Sequence, residues 1–307
     1  MIIGFKTGPR NWDVAQKIVE EDGATMCEAW FNVGKESEYQ EMFAWLQEHS
    51  VKIGLHHWGL AQKEFKTNLS TNNSAVRKES LAQMKHTIDI GKEIGAAYVN
   101  VHPGARWLER INFSTDDQER VEGSETPPDA ARDLLLAGAA ELNSYAEERA
   151  VLFTVETLPG REAYNSLRRE GIYDSGNPPL AWIEEIGSRG GYVANDITHS
   201  ASVVALADSS PAGMWQGLLD FTRRVAPHTK LVHVNTMIPP FDGRDSHNGL
   251  LPADFSQGSV PTREQIVQLL SLFAQRDDVY VVPEPQIQFT RENFLALKEI
   301  AEEAKVA

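Results

Sequence analysis

Eight short apolar runs alternate along the chain with amphipathic stretches of helical length. The runs predict strands at 2–6, 25–31, 51–56, 97–102, 151–156, 191–196, 230–234 and 279–283. Alternating strands and helices are typical of parallel sheets joined by crossover helices, and eight such units are the number that closes a barrel. We therefore predict an α/β fold, a (β/α)₈ TIM barrel that forms a single domain over residues 1–307.

The composition is compatible with such a barrel and limits the classes of partner that it can be expected to bind. The chain has 307 residues, of which 41% are hydrophobic, and a net charge of −15. This charge gives no global attraction to nucleic acid or anionic membranes, although bound divalent cations or a local basic groove would reverse the field around a site. Cys27 is the only cysteine, so an intrachain disulfide is excluded. With no secretion-type signal and no long apolar span, we expect a cytoplasmic protein without a membrane partner, and the sequence leaves homo-oligomerisation open.

Most of the predicted strands lead into a residue of a type that binds metals. The residues at or just beyond the strand ends are His56 or His57, His102, Glu156, Asp196, His199, His233 and Glu284, and the loop at 243–249 adds Asp245 and His247. Each residue alone has a plainer explanation, such as a hydrogen-bonding histidine, a turn, or a buried carboxylate paired with Arg or Lys. Because imidazoles and carboxylates converge from many strand ends at once, the sequence predicts a divalent metal centre.

Several local features around these strand ends are open to two interpretations. Strand alternation does not decide whether His56 or His57 faces the barrel interior. Trp58 and Trp107, each close behind a candidate ligand, are candidates for stacking on a sugar ring or a base, although packing in the protein explains them equally well. Farther along the chain, Thr262 and Thr290 are each followed three positions later by a polar residue and predict helix N-caps.

Taken in order, the motifs around the candidate ligands resemble those of xylose isomerase-like TIM barrels (AP endonuclease family 2), which join endonuclease IV with sugar isomerases and epimerases. The resemblance covers nearly the whole chain and favours His56 over His57. Its motifs are Val101-His102-Pro103-Gly104, Val155-Glu156-Thr157, Asp196-Ile197-Thr198-His199, His233-Val234-Asn235, Asp245-Ser246-His247 and Pro283-Glu284.

Similarity to endonuclease IV implies up to three zinc ions and hydrolysis of a phosphodiester of the abasic-site type. Glu156 and Glu284 would be the catalytic residues, and Trp58, Trp107 and Arg244 would bind the substrate. That substrate is a sugar or sugar-phosphate moiety, alone or within DNA. A basic groove for DNA would draw on Arg77, Arg106, Arg161, Arg168, Arg169 and Arg244. The three ligand sets would be His56, His102 and Glu156; Glu156, Asp196, His233 and Glu284; and His199, Asp245 and His247.

Similarity to the sugar isomerases and epimerases implies a different reaction at part of the same site. There Glu156, Asp196, His233 and Glu284 would hold one manganese or magnesium ion, and the two glutamates would shuttle a proton beside a carbonyl. The Asp245 and His247 pair favours the multinuclear hydrolase. The segments 157–160 and 234–236 depart from the endonuclease pattern. A third interpretation is a barrel that uses the metal structurally or only binds a sugar.

Overall fold

The computed structural model describes residues 1–112, 117–162, 173–174 and 176–307. Its central sheet is parallel and contains nine segments. They are Ile2–Ile3, Phe5–Thr7, Met26–Asn32, Lys52–Trp58, Tyr98–Val101, Phe153–Glu156, Tyr192–Asp196, Thr229–Val234 and Tyr280–Pro283.

The sheet closes on itself at its first strand. Its two outermost segments, Ile2–Ile3 and Phe5–Thr7, pair with Tyr280–Pro283 and Met26–Asn32 respectively, and only Gly4 separates them in the chain. A Cβ on Gly4 would lie 2.1 Å from Met26 Sδ and 3.0 Å from the Met26 carbonyl oxygen, so a side chain at this position would require Met26 to move. The nine segments therefore form the eight strands of a barrel, as predicted.

The predicted strands are all confirmed, with ends that differ from the observed ends by at most two residues. Helices surround the barrel. The amphipathic stretches of the sequence predict helices at 11–21, 38–48, 74–94, 130–148, 180–186, 214–225, 262–275 and 290–304, and two observed helices, Ile197–Ala205 and Pro252–Phe255, lie outside them. The helices are Trp12–Glu20, Gln40–Glu48, Ser74–Ile94, Pro128–Glu147, Leu180–Ser188, Ile197–Ala205, Pro211–Val225, Pro252–Phe255, Arg263–Ser271 and Thr290–Ala304.

One of the two predicted threonine caps is confirmed and the other is wrong. The Thr262 hydroxyl accepts a hydrogen bond from the backbone N–H of Gln265, and the Gln265 side chain accepts one from the backbone N–H of Thr262. Thr290 lies inside the first helical turn instead, because the 3₁₀ turn Ile287–Phe289 runs directly into the helix. Its hydroxyl donates to the Ile287 carbonyl at 2.8 Å.

The barrel interior contains an apolar layer beneath a polar one. The buried cluster of Met26, Tyr98, Ala194, Leu231 and Val282 fills the lower part. Since side chains alternate along a strand, the residues two positions farther along point into the same interior at the C-terminal mouth of the barrel. Those residues are Glu28, Asn100, Asp196, His233 and Glu284.

Loops after the strands add structure beside this mouth. The loop after His102 contributes Glu109–Asn112 and Asp117–Arg120 to a small antiparallel sheet, which Leu60–Ala61 and Phe65–Lys66 complete. Across the described ranges, no helix combines the length and the apolar character that crossing a membrane requires.

Candidate metal centre

The candidate ligands converge because their strands run parallel and end at the same face of the barrel. His56, Glu156, Asp196 and His233 lie within the final residues of their strands, and Glu284 directly follows its strand. All five side chains are at most 7% exposed. Burying this many ionisable groups together is costly unless partners or cations compensate the charges. The nine predicted ligands fall into three neighbouring groups.

In the first group, Glu156 lies between two histidines. His56 Nε2 is 3.4 Å from Glu156 Oε2, and His102 Nε2 is 3.6 Å from Glu156 Oε1. Both nitrogens are buried, and neither has a hydrogen-bond partner among the residues that the structure describes. Two buried ring nitrogens directed at a carboxylate without a hydrogen bond fit ligands of a metal ion.

The second group shares Glu156 with the first and adds Asp196, His233 and Glu284. His233 Nδ1 is 3.2 Å from Glu156 Oε1, 3.7 Å from Glu284 Oε1 and 3.9 Å from Asp196 Oδ2. The donor atoms of the four residues all lie within 4.8 Å of one another. Glu156 therefore belongs to both groups of potential metal donors.

The third group joins the unpredicted helix Ile197–Ala205 to the loop after His233. His199 Nε2 is 3.2 Å from His247 Nε2, and Asp245 Oδ1 is 3.6 Å from the first and 3.0 Å from the second. Asp196 also caps this helix, because its Oδ1 accepts from the backbone N–H of His199. The position of Asp196 is therefore compatible with both explanations, a hydrogen-bonded turn and a metal ligand.

Hydrogen bonds from neighbouring residues fix the orientation of these side chains. His199 Nδ1 donates to the Thr157 carbonyl at 2.7 Å, which leaves Nε2 to face Asp245 and His247. Asn235 donates to Asp196 Oδ2 at 3.2 Å and accepts from the backbone N–H of Glu284 at 2.8 Å. Such contacts behind the ligands hold the donor atoms in place and select the tautomer of a histidine.

Charges within the cluster shift the pKa values of its members. Burial and, to a smaller extent, the Lys6 ammonium lower the pKa of His56 to about 3, so the ring is neutral and one of its nitrogens has a lone pair. Burial also disfavours protonation of His233, but Glu28 and Glu156 outweigh it and raise the pKa to about 9. In the same way Asp196 and Asp245 raise the pKa of His199 to about 10. Without bound ions, protons on His233 and His199 therefore balance part of the negative charge of the carboxylates. Bound divalent cations would neutralise the same charge and replace these protons.

The His56 and His57 alternative is decided by their contacts. His56 faces the interior, whereas His57 Nδ1 is 2.8 Å from the Thr87 hydroxyl on the surrounding helix. That hydroxyl donates to the Gln83 carbonyl, so it accepts from His57. His57 is thus a hydrogen-bonding histidine of the barrel wall.

Three functional candidates in the first two strands were missed by the sequence reasoning. Lys6 and Glu28 lie inside the barrel, and the Lys6 ammonium is 2.6 Å from Glu28 Oε1. The ring of Trp30 stacks on His56 with centroids 4.2 Å apart and stays 40% exposed at the barrel mouth. The available signal was a charged residue within an otherwise apolar strand, as in Met26-Cys27-Glu28-Ala29-Trp30.

A cavity of about 230 Å³ opens beside the first and third groups. Trp58, which the sequence predicts to bind substrate, lines it together with Trp30, His102, His199, Asp245 and Lys66. Lys66 forms an ion pair with Glu109, another residue of the wall, at 2.9 Å.

The other two residues expected to bind substrate have protein partners. Trp107 is 4% exposed and does not line the described part of the cavity; the Arg120 guanidinium lies 3.1 Å from its ring centroid. Its position fits the packing explanation instead. Arg244 pairs with Asp242, with Nη2 2.7 Å from Oδ2.

Three of the remaining arginines predicted for a DNA groove are also bonded within the protein. Arg77 donates to the carbonyls of Leu69 and Leu134, Arg106 pairs with Glu125, and Arg161 donates to the Asp242 carbonyl. Arg168 and Arg169 lie outside the described residues.

The model of the family described as "Xylose isomerase-like TIM barrel" matches residues 17–271. The chain belongs to this family. None of the curated proteins is detectably similar in sequence.

Solved structures share the fold at low sequence identity. A D-tagatose 3-epimerase-like protein has a TM-score of 0.64 and 17% identity, with 100% of both chains covered. Endonuclease IV from Thermus thermophilus has a TM-score of 0.58 and 17% identity, over 99% of this chain and 100% of that one. The 3-keto-D-glucoside 4-epimerase from E. coli has a TM-score of 0.61 and 16% identity, over 98% and 99% of the two chains. These likenesses extend to both reaction types and leave the choice between them to the site itself.

Proposed function

We propose that this protein is a metal-dependent hydrolase that cleaves a phosphoester bond next to a sugar at a multinuclear centre. The single observation that carries the proposal is the third ligand group, His199, Asp245 and His247, which lies against the other two. A one-ion sugar epimerase has no use for these extra donors.

The residues of such a centre would have different roles. Glu156 would contact ions of the first and second groups, and Glu284 would orient the attacking water from the second. Asn100 donates a hydrogen bond to Glu156 Oε2 and fixes the direction of its carboxylate. Bound divalent ions, zinc by the character of the donors, supply positive charge that stabilises a phosphoryl group in transit and acidifies water.

The cavity favours a small substrate or an extruded nucleotide over a flat duplex surface. At about 230 Å³ it accommodates little more than one sugar ring with its phosphate. Trp30 and Trp58 supply aromatic surface against which a ring can pack. The described arginines of the expected DNA groove are already bonded within the protein, so binding to duplex DNA through them would require new contacts.

Cleavage assays after metal analysis test the proposal. We would measure zinc and manganese per chain in protein purified without chelator, then assay duplex DNA with one abasic site and small sugar phosphodiesters. Cleavage that depends on the ions and is lost in Asp245→Asn supports the proposal. His86→Gln is the matched control, because His86 lies on an outer helix and pairs with the exposed Glu36. Two or more ions per chain without cleavage of any phosphoester would overturn it.

Isomerisation or epimerisation of a sugar is the second candidate. Glu156, Asp196, His233 and Glu284 form one compact set of four donors, which supports a single ion flanked by two glutamates. Several solved structures of similar fold are sugar 3-epimerases.

Solvent deuterium exchange separates the two reactions. An epimerase must remove a proton from carbon, so ketoses and ketose phosphates would take up deuterium from D₂O in its presence. Exchange at one carbon, retained in Asp245→Asn and lost in Glu284→Gln, would establish this second function. No exchange across these substrates excludes it.

A further inference from the structure

Lys6 and Glu28 form a charged pair inside the barrel that neither candidate reaction uses. The Lys6 ammonium is 2.6 Å from Glu28 Oε1 and 2.7 Å from His56 Nδ1, and it also contacts Glu284 Oε1. Both side chains are buried, Glu28 completely. The Tyr98 hydroxyl also donates a hydrogen bond to Glu28 Oε2 at 2.7 Å, and a cation close by offsets the remaining cost of desolvating the carboxylate.

The residues around the ammonium form a fourth set of potential metal donors. Glu28, His56, His233 and Glu284 each offer one donor atom within 4.8 Å of the others. His233 Nε2 lies 3.1 Å from both oxygens of Glu28. Two carboxylates and two imidazoles are a ligand set that zinc and neighbouring transition metals accept. Because His56 Nε2 and His233 Nδ1 face Glu156, each ring would bind an ion here and one in the other groups as an imidazolate, with its remaining ring proton released to solvent.

The ammonium already contacts three of these four residues. We propose that Lys6 is the resident cation of this fourth group, and that it excludes a divalent ion which the same donors would otherwise bind. A lysine fixed to the first strand competes effectively, because its attachment to the fold gives it a high local concentration at the site. It has three N–H donors, and carboxylate oxygens of Glu28 and Glu284 lie where they can accept from it.

The exclusion also affects the neighbouring second group. Glu284 belongs to both groups, and Lys6 contacts its Oε1 while Oε2 lies 3.5 Å from His247 Nδ1. Lys6 thereby holds the Glu284 carboxylate so that its two oxygens face different partners. We infer that Lys6 sets the number of ions in the barrel and acts as a positioning residue for Glu284.

Metal stoichiometry of four variants tests this inference. Lys6→Met removes the charge at similar length, and Lys6→Arg keeps the charge. Lys6→Met combined with Glu28→Gln removes the cation and one donor together, and Lys52→Met is the surface control. Each protein would be loaded with Co²⁺, and bound ions would be counted by elemental analysis and by the visible absorption of cobalt. We expect one more ion per chain in Lys6→Met than in the wild type, with a new absorption band, and no gain in the other three.

The inference depends on metal binding but not on which reaction occurs, and its test is separate from that of the proposed function. The wild-type ion count tests the metal centre, whereas the difference between Lys6→Met and the wild type tests the role of Lys6. An equal count in both proteins would overturn it. If Lys6→Met is recovered only in an unfolded form, refolding of the single and double variants with and without Co²⁺ tests the inference. Recovery that requires Co²⁺ in the single variant but not in the double variant supports the inference, and cobalt-independent failure of the single variant refutes it.

Discussion

His199 and His247 face each other with their Nε2 atoms 3.2 Å apart, and Asp245 Oδ1 lies within 3.6 Å of both. Two nitrogens that bind one tetrahedral zinc ion at about 2.0–2.1 Å are about 3.3 Å apart. The Nδ1 atom of His199 is occupied by the Thr157 carbonyl, so Nε2 is the nitrogen available to a ligand. The pair therefore has the spacing of two ligands on one ion.

Removing one of these histidines should cost one ion. We expect His247→Ala to lower the bound metal by about one ion per chain, because Asp245 and His199 alone make a weak site. The rate of phosphoester cleavage should also fall. Mutating a residue that only hydrogen-bonds to a metal ligand typically costs roughly 10–100-fold, and loss of a ligand itself should cost more. Elemental analysis and steady-state assays would check both effects. An unchanged ion count would show that the third group does not bind metal.

Substitution of Glu156 should lower the bound metal more than substitution of His247, because Glu156 belongs to two ligand groups. Glu156→Gln keeps the size of the side chain and removes the negative charge that ions of both groups would share. We expect loss of ions from both groups and loss of activity, with circular dichroism unchanged. Asn100→Ala is the informative companion, since it removes only the hydrogen bond that orients Glu156 and should weaken metal binding less. Full turnover by Glu156→Gln would refute the site.

The barrel and the convergence of the candidate ligands were predictable, because strand alternation and strand ends are directly visible in the sequence. Glu156 and Glu284 end apolar runs, and parallel strands bring such ends together. Lys6 and Glu28 were not recognised, because a single charged residue within a strand does not reveal that its partner is on the neighbouring strand. Only the register, which pairs Lys6 with Glu28, brings the two charges together.

Local signals failed where tertiary context decided the outcome. Thr262 and Thr290 are each followed three positions on by a polar residue, yet only Thr262 caps its helix. A 3₁₀ turn before Thr290 displaces the start of the helix, and sequence spacing alone does not indicate such a turn. Trp107 likewise follows a candidate ligand closely, but its loop folds back so that Arg120 covers its ring.

Removing the metal should destabilise the protein. Glu28, Glu156, Asp196 and Glu284 are all buried in one region, and within the described part of the chain only Lys6 and protonated histidines balance their charge when no ions are bound. For one ion at 100 times its dissociation constant, the linked stabilisation is about 2.7 kcal/mol. We expect chelation to lower the thermal midpoint by several degrees, and readdition of zinc to restore it. A midpoint that does not respond to chelator would contradict metal binding in the native state.

The confirmed helix cap gives a prediction about stability that is independent of the site. Thr262→Ala removes the hydroxyl that accepts from the Gln265 backbone and should cost about 1 kcal/mol of unfolding free energy. Thr262→Ser retains the hydroxyl and should cost much less. Urea denaturation of both variants would measure the difference. If Thr262→Ala and Thr262→Ser were equally stable, the Thr262 hydroxyl would contribute nothing to stability.

Trp30 should affect substrate binding without affecting the metal. Its ring stacks on His56 at 4.2 Å and presents its exposed part to the cavity beside the ligands. Stacking of this kind contributes about 0.5–1.5 kcal/mol beyond buried area, so Trp30→Ala should raise KM by roughly two- to tenfold. Trp30→Phe retains an aromatic face and should recover most of the loss, while both variants keep the wild-type ion count. A lower ion count in Trp30→Ala would instead show that the ring acts by holding His56 in place.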